Sequence, residues 1–393
     1  MVERTEYLKK LTLWKDEQVI KVVTGIRRCG KSTLLMQYQE HLRSVGIEDR
    51  QIVSLNFEEL ENEELLDYQK LYRYLLDRLC PDKTTYVFLD EVQKVPAFEK
   101  VVDSLYVKKN VDLYITGSNA FMLSGELATL LSGRYVEISI LPLSFREYCR
   151  LQDGGFPYIA SMNRSKEKTD MYLEGIYNTI IVKDIEDRQR RRESDPNKRK
   201  VTDIALLKAI AKFLAGSVGS PISFKSIADY ITSSGRKVSQ NTVADYIEVL
   251  TEAFVFYPAE RFDVAGKQLM KMNQKLYIVD LGIRRHLLAR RDYDLGFSLE
   301  NVVYLELLRR GFTVNVGKVG NTEVDFVAKK DDRYQYFQVT ATLLDPATFE
   351  REITPLKNIR DNYPKTILTL DRMTLGNYDG IEVCNAVDWL LNA

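Results

Sequence analysis

Eight consecutive residues of this chain, Gly25-Ile26-Arg27-Arg28-Cys29-Gly30-Lys31-Ser32, have the types and spacing of a loop that wraps an anion. Gly25 and Gly30 permit the tight path that turns successive backbone N–H groups inward. Lys31 brings an ammonium toward the β and γ oxygens of a nucleoside triphosphate, and the Ser32 hydroxyl can ligate Mg²⁺. The helix that opens at Ser32 and Thr33 points its positive end at the same oxygens. ATP and Mg²⁺ are therefore the expected ligand and ion. The expected contact set is Gly25, Ile26, Arg27, Arg28, Cys29, Gly30, Lys31, Ser32 and Thr33, with Ser32 and Asp90 on the metal. Of the two loop arginines, one is expected to pair with a carboxylate or to cover the nucleotide. Cys29 is a small filler rather than a nucleophile, because nothing near it in sequence supplies a base.

Further along, the apolar run Tyr86-Val87-Phe88-Leu89 delivers Asp90 and Glu91 to the end of a strand. An Asp there can hold Mg²⁺ through water, and the adjacent Glu91 can orient or deprotonate an attacking water. A third strand ends Tyr114-Ile115-Thr116-Gly117-Ser118-Asn119, where Thr116, Ser118 and Asn119 compete to read the γ-phosphate; Asn119 is carried as the catalytic candidate. Ser118 and Asn119 also suit a plain helix N-cap. Arg134, after Gly133 at an expected helix end, can serve as an arginine finger in cis or in trans, or as a simple helix-terminal cation.

These residues need strands to carry them. Residues 19–24, 52–57, 86–90 and 113–116 read as short buried strands, and 32–43 and 63–79 as the helices between them. Strands alternating with helices predict a mostly parallel three-layer α/β domain over residues 1–155. A charged helical linker follows over 156–200, dense in basic residues from Arg188 to Lys200. Three helix candidates, 202–214, 223–231 and 239–250, precede strand-like 253–258 and 275–279, which predicts a winged helix over 201–285. Residues 286–393 read as a smaller α/β unit, with a helix at 299–310, strands at 312–316, 323–328, 334–340, 367–370 and 381–384, and a helix near 349–362.

At 393 residues, two or three domains are expected. Lys plus Arg equals Asp plus Glu at 56 each, so the chain as a whole has no positive field to attract nucleic acid. Four scattered cysteines and two histidines argue against structural zinc and a disulfide framework. The charged start Met1-Val2-Glu3-Arg4 and the lack of a long apolar run predict a cytoplasmic chain with no membrane span.

The Gly-Ile-Arg-Arg form of the loop, Phe88-Leu89-Asp90-Glu91-Val92-Gln93, Thr116-Gly117-Ser118, Leu131-Ser132-Gly133-Arg134 and Leu141–Tyr148 together resemble the bacterial and archaeal AAA+-like P-loop ATPases with a C-terminal restriction-endonuclease-like domain. Gly154-Gly155-Phe156-Pro157, Leu299-Glu300-Asn301 and Glu323-Val324-Asp325-Phe326-Val327 extend the resemblance along nearly the whole chain. It implies a nuclease-type metal site at Glu300, Asp325, Gln338 and Thr340. A working site of that kind needs a carboxylate and a lysine where Gln338 and Thr340 stand, so this one is expected to be catalytically dead. The expected activity is Mg²⁺-dependent ATP hydrolysis driving a conformational switch. The alternatives are a nucleotide-gated interaction module with little turnover and an ATP-dependent DNA nuclease. The expected partners are further copies of the chain, DNA through 188–200 and the winged helix, and a protein partner on the C-terminal domain.

Overall fold

A computed structural model describes residues 2–117, 131, 133–149, 154–162, 165–180, 203–288 and 295–392, with the side chains of 270–273 excepted. The chain forms two compact units, Met1–Pro142 and Leu143–Ala393.

The first unit opens with helix α1 (Thr5–Leu13) and then alternates strand and helix: β1 (Ile20–Thr24), α2 (Lys31–Ser44), β2 (Ile52–Asn56), α3 (Tyr68–Leu76), β3 (Thr85–Asp90), α4 (Phe98–Tyr106), β4 (Val111–Thr116) and β5 (Tyr135–Ser139). The strands lie in the order β2-β3-β4-β1-β5, every neighbouring pair parallel. Strands β1 and β3 are buried along their whole length, as a parallel sheet covered on both faces requires. The apolar positions of α4, Phe98, Val101, Val102 and Leu105, recur at three- and four-residue steps and join β3 and β4 in one core. The single helix expected over 63–79 is two pieces. A 3₁₀ stretch spans Leu60–Leu66, and Asp67 then accepts the N–H groups of Gln69 and Lys70 to start α3 afresh.

In the second unit, helices Ile204–Gly216, Phe224–Ser233 and Gln240–Glu252 precede an antiparallel hairpin of β6 (Phe256–Asp263) and β7 (Gln268–Ile278). The Ser239 side chain caps the third of these helices by accepting the Thr242 N–H at 3.1 Å. Beyond helix Leu295–Arg309 come β8 (Thr313–Val319), β9 (Thr322–Lys330), β10 (Arg333–Thr340), β11 (Lys365–Thr369), β12 (Gly376–Tyr378) and β13 (Ile381–Asn385). The hairpin is not a free-standing wing. Strand β6 pairs in parallel with β8, making one eight-stranded sheet in the order β12-β13-β11-β10-β9-β8-β6-β7. The helix between β10 and β11 runs Pro346–Lys357, three residues earlier than expected at its start, because Asp345 caps it and Pro346 fits its first turn.

Candidate functional site

Strand β1 ends at Thr24 and the loop begins at once. Gly25 has φ of +143°, and a Cβ there would lie 2.3 Å from the Ile140 carbonyl oxygen, so only glycine lets the loop close against the segment after β5. Gly30, with φ of +102°, turns the chain into α2. Lys31 lies inside the loop, its ammonium donating to the carbonyls of Gly25 at 3.1 Å and Ile26 at 3.3 Å. Backbone carbonyls are ligands that phosphate oxygens can replace. Ser32, the next residue, is exposed. Ile26 and Cys29 are buried beneath the loop, and burial pushes the Cys29 thiol above its ordinary pKa, which keeps it protonated. Thr33 is half-buried.

The strand order carries the rest of the site to this loop. Strand β4 lies between β1 and β3, with Val23 opposite Thr116 on one side and Leu89 opposite Ile115 on the other. Thr116 thus sits between the loop and Asp90. Its hydroxyl donates to Asp90 and accepts the Glu91 N–H at 2.9 Å. The Ser32 hydroxyl lies near enough to Asp90 to favour its ionised form, so the two oxygen groups expected to hold Mg²⁺ are neighbours. Burial raises the Asp90 pKa above the usual carboxylate value, opposed by these hydroxyls and by Lys31; a cation there would reverse that shift. Glu91 adopts a left-handed backbone, φ 55° and ψ 42°, uncommon for a residue with a side chain, and its carboxylate accepts the Gln93 amide.

The remaining residues divide. Arg27 pairs with Glu58 at 3.2 Å, while Arg28 is exposed with φ of +67°. Arg134 lies at the opposite edge of the sheet. Its carbonyl accepts the Ile20 N–H at the start of β1, and its guanidinium meets Asp103 at 3.7 Å and the Tyr106 ring at 5.2 Å. Five residues of β1 at roughly 3.3 Å each separate that edge from the phosphate loop, too far for its side chain to reach the loop of its own chain. Asn119, Ser118 and the basic stretch 188–200 lie outside the described residues.

The second cluster of interest gathers in the other unit. Glu300 extends from helix Leu295–Arg309, Asp325 from β9, and Gln338 and Thr340 from β10. Asp325 accepts the Val339 N–H at 2.8 Å, while Gln338 accepts the Asp325 N–H at 3.3 Å and donates to Glu352 at 2.7 Å. The Thr340 hydroxyl donates to the Thr342 carbonyl at 3.1 Å. At the centre lies Lys275, a residue the sequence did not single out. Its buried ammonium is 2.8 Å from Glu323, 3.2 Å from Glu300 and 3.8 Å from Asp325. Tyr277, two residues on and so on the same face of β7, donates to Glu300 at 2.6 Å. Burial first and the Glu300 charge second hold the Asp325 carboxyl well above the ordinary range, against the pull of Lys275. A lysine immediately before the apolar run Leu276–Val279 was the available clue. Among the described residues no group of three or more His, Cys, Asp or Glu is arranged to hold a metal ion, and no helix is long and apolar enough to cross a membrane.

A parallel sheet with a phosphate loop after its first strand, an Asp-Glu pair closing the third and a hydroxyl closing the strand between them defines an AAA+-like P-loop ATPase domain. Residues 17–149 match the AAA domain family, and residues 144–294 match a domain of unknown function. An uncharacterized protein of Haemophilus influenzae is 39% identical over 410 residues, covering all of this chain and 99% of the relative, and the chain belongs to the same family. An uncharacterized protein of Methanocaldococcus jannaschii is 28% identical over 400 residues, 91% of this chain and 81% of that one. A Walker-type ATPase of Pyrococcus abyssi shares the fold, with a TM-score of 0.50 and 17% identity over 73% of this chain and 96% of that one.

Proposed function

We propose that the chain binds MgATP at the mouth of the 25–32 loop and hydrolyses it, using the change to switch its second unit. The observation that carries this reading is the convergence of Asp90 and Thr116, with Ser32 beside them, next to a loop whose lysine donates to two exchangeable backbone carbonyls. Lys31 and the N–H groups of the loop bind the β and γ phosphates. Ser32 and Asp90 would hold Mg²⁺, which would supply charge neutralisation. Glu91 orients the attacking water and takes its proton as the bond from γ-phosphorus to ADP breaks. Arg134 is read as an arginine finger acting in trans, on the nucleotide of a neighbouring copy, so turnover would depend on assembly. Lys31→Ala should abolish most MgATP affinity; calorimetry at physiological salt that finds wild-type binding would refute the assignment.

One observation favours slower turnover. The Gln93 amide bonds the Glu91 carboxylate, which occupies the group needed as base. A nucleotide-gated module with little hydrolysis would bind MgATP yet release phosphate slowly in single-turnover as well as steady-state assays.

Residues 201–285 are read as a winged helix and 286–393 as a degenerate restriction-endonuclease-like domain. The third helix of the former presents Gln240, Asn241 and Glu248, with half-buried Asp245, and Arg236 is held by Asp203. With exposed Lys237 beside it that face carries no strong positive charge, which suits a protein partner better than duplex DNA. Contact with DNA is assigned instead to 188–200. The endonuclease-like site is assigned no cutting activity, because Lys275 stands among the carboxylates that a metal would need. Mg²⁺-dependent DNA cleavage lost in Asp325→Ala would overturn this.

A further inference from the structure

Arg4, near the very start of the chain, is only 2% exposed. Its guanidinium donates to the carbonyl of Cys29 at 3.1 Å and to the carbonyl of Leu141 at 2.7 Å. It lies over the Tyr7 ring at 4.8 Å, and the Tyr7 hydroxyl accepts the Leu141 N–H at 3.0 Å. The backbone is anchored too. The Arg4 N–H donates to Gln37 on α2 at 3.2 Å, and the Gln37 amide donates to the Val2 carbonyl at 2.8 Å.

Cys29 is a member of the phosphate loop, and its carbonyl has to face away from an anion. A peptide unit is planar and trans, so its C=O and the N–H of the next residue point in opposite directions. Turning the Cys29 carbonyl onto Arg4 therefore aims the Gly30 N–H to the other side, the side on which the loop receives phosphate. The same guanidinium grips Leu141, the residue after Ile140, whose own N–H bonds the Thr24 carbonyl and whose oxygen abuts Gly25. One residue past Leu141, the first unit ends.

We infer that Arg4 is a positioning residue for the nucleotide, resting on the MgATP reading above. It aims the phosphate loop and ties its apex to the segment through which the chain leaves the ATPase unit. A guanidinium can bridge two carbonyls with separate N–H groups in a fixed plane; a lysine ammonium on a flexible stem does so poorly. The first residues of the chain thus belong to the nucleotide site and to its line of transmission, although they contribute nothing to the phosphate motif itself.

The test compares full-length wild type, Arg4→Met and Arg4→Lys, each first shown to melt cooperatively. MgATP affinity is measured by calorimetry, and backbone hydrogen exchange at residues 140 and 141 with and without MgATP. Arg4→Met should bind MgATP about tenfold more weakly, the scale of losing a charge-assisted bond. It should also lose the slowing of exchange at 140 and 141 that MgATP brings to the wild type. Arg4→Lys should fall between the two. A role in stability alone would lower the melting temperature and leave affinity and exchange response intact, and that result overturns the inference. If the methionine variant does not fold, the lysine variant decides, and wild-type affinity with wild-type exchange response in it overturns the inference. A wild type that fails to bind MgATP sinks the nucleotide reading itself, an outcome distinct from unaltered binding in the variants.

Discussion

Lys31 and Lys275 are both buried, and they are satisfied in opposite ways. Lys31 has its charge solvated by two backbone carbonyls of its own loop. Those are neutral ligands, and a triphosphate offers that ammonium far more. Lys275 is surrounded by Glu300, Glu323 and Asp325, so its charge is already neutralised inside the protein. A buried cation held by dipoles is poised to recruit an anion, whereas one held by carboxylates is a structural counter-ion. The nucleotide corner is thus built for a ligand, and the carboxylate cluster is complete without one.

The comparison is broken most severely at Lys275. Lys275→Met leaves three carboxylates facing each other in a buried site and should cost ~3–5 kcal/mol of stability. MgATP affinity should be unchanged, provided the variant is assayed well below its melting temperature. Urea titration and calorimetry on the same preparation check both halves; a stable variant, or one with weakened nucleotide binding, would erase the distinction.

Asp280 offers an intermediate case, a buried carboxyl held mainly by backbone dipoles with the Arg285 charge nearby. It accepts the N–H groups of Gly155 and Ile283 at the head of helix Leu281–Leu288, and burial raises its pKa to about 6. Because the folded pKa exceeds the unfolded one, this group favours the folded state fully only when protonated. That contribution should fade as pH rises from about 4 through about 6, a loss on the order of 3 kcal/mol. The slope of urea midpoint against pH across that window should flatten in Asp280→Asn. An equal slope in both proteins would remove Asp280 from the account.

The smallest effect in free energy falls at the nucleotide corner. Glu91→Gln keeps the size of the side chain and removes the base, so turnover should drop about 10²-fold, roughly 2.7 kcal/mol of barrier. Binding of MgATP should persist, because Lys31, Ser32 and Asp90 are untouched. Phosphate release at the wild-type rate would move the catalytic role away from Glu91.

The two regions were not equally legible in the sequence. The phosphate loop is eight residues in a row, and its function depends on local backbone geometry that Gly25 and Gly30 dictate. Asp90 and Glu91 could be read because a strand delivers whatever follows it to one edge of a sheet. Thr116 was one of three candidates, and the strand order placed it against Asp90 and Glu91, while Asn119 lies outside the described residues. Arg134 was read with both its own site and a neighbour's open to it. Its position at the start of β5, beside Ile20, puts it at the far edge from its own loop.

Arg4 and Lys275 carried no motif at all. Arg4 figured in the sequence only as part of a charged beginning, and Lys275 as one basic residue in a predicted ribbon strand. Each acquires its role from partners distant along the chain: Leu141 is 137 residues from Arg4, and Glu300 is 25 from Lys275. What the sequence determined by itself was chemistry set by neighbours along the backbone, because short-range sterics and the spacing of turns decide how such a loop must fold. Which buried charges meet, and whether they meet a carbonyl or a carboxylate, only the tertiary structure decided. Coulomb interactions act through space, and the pairing of β6 with β8 and of β1 with β4 sets those distances where no local pattern encodes them.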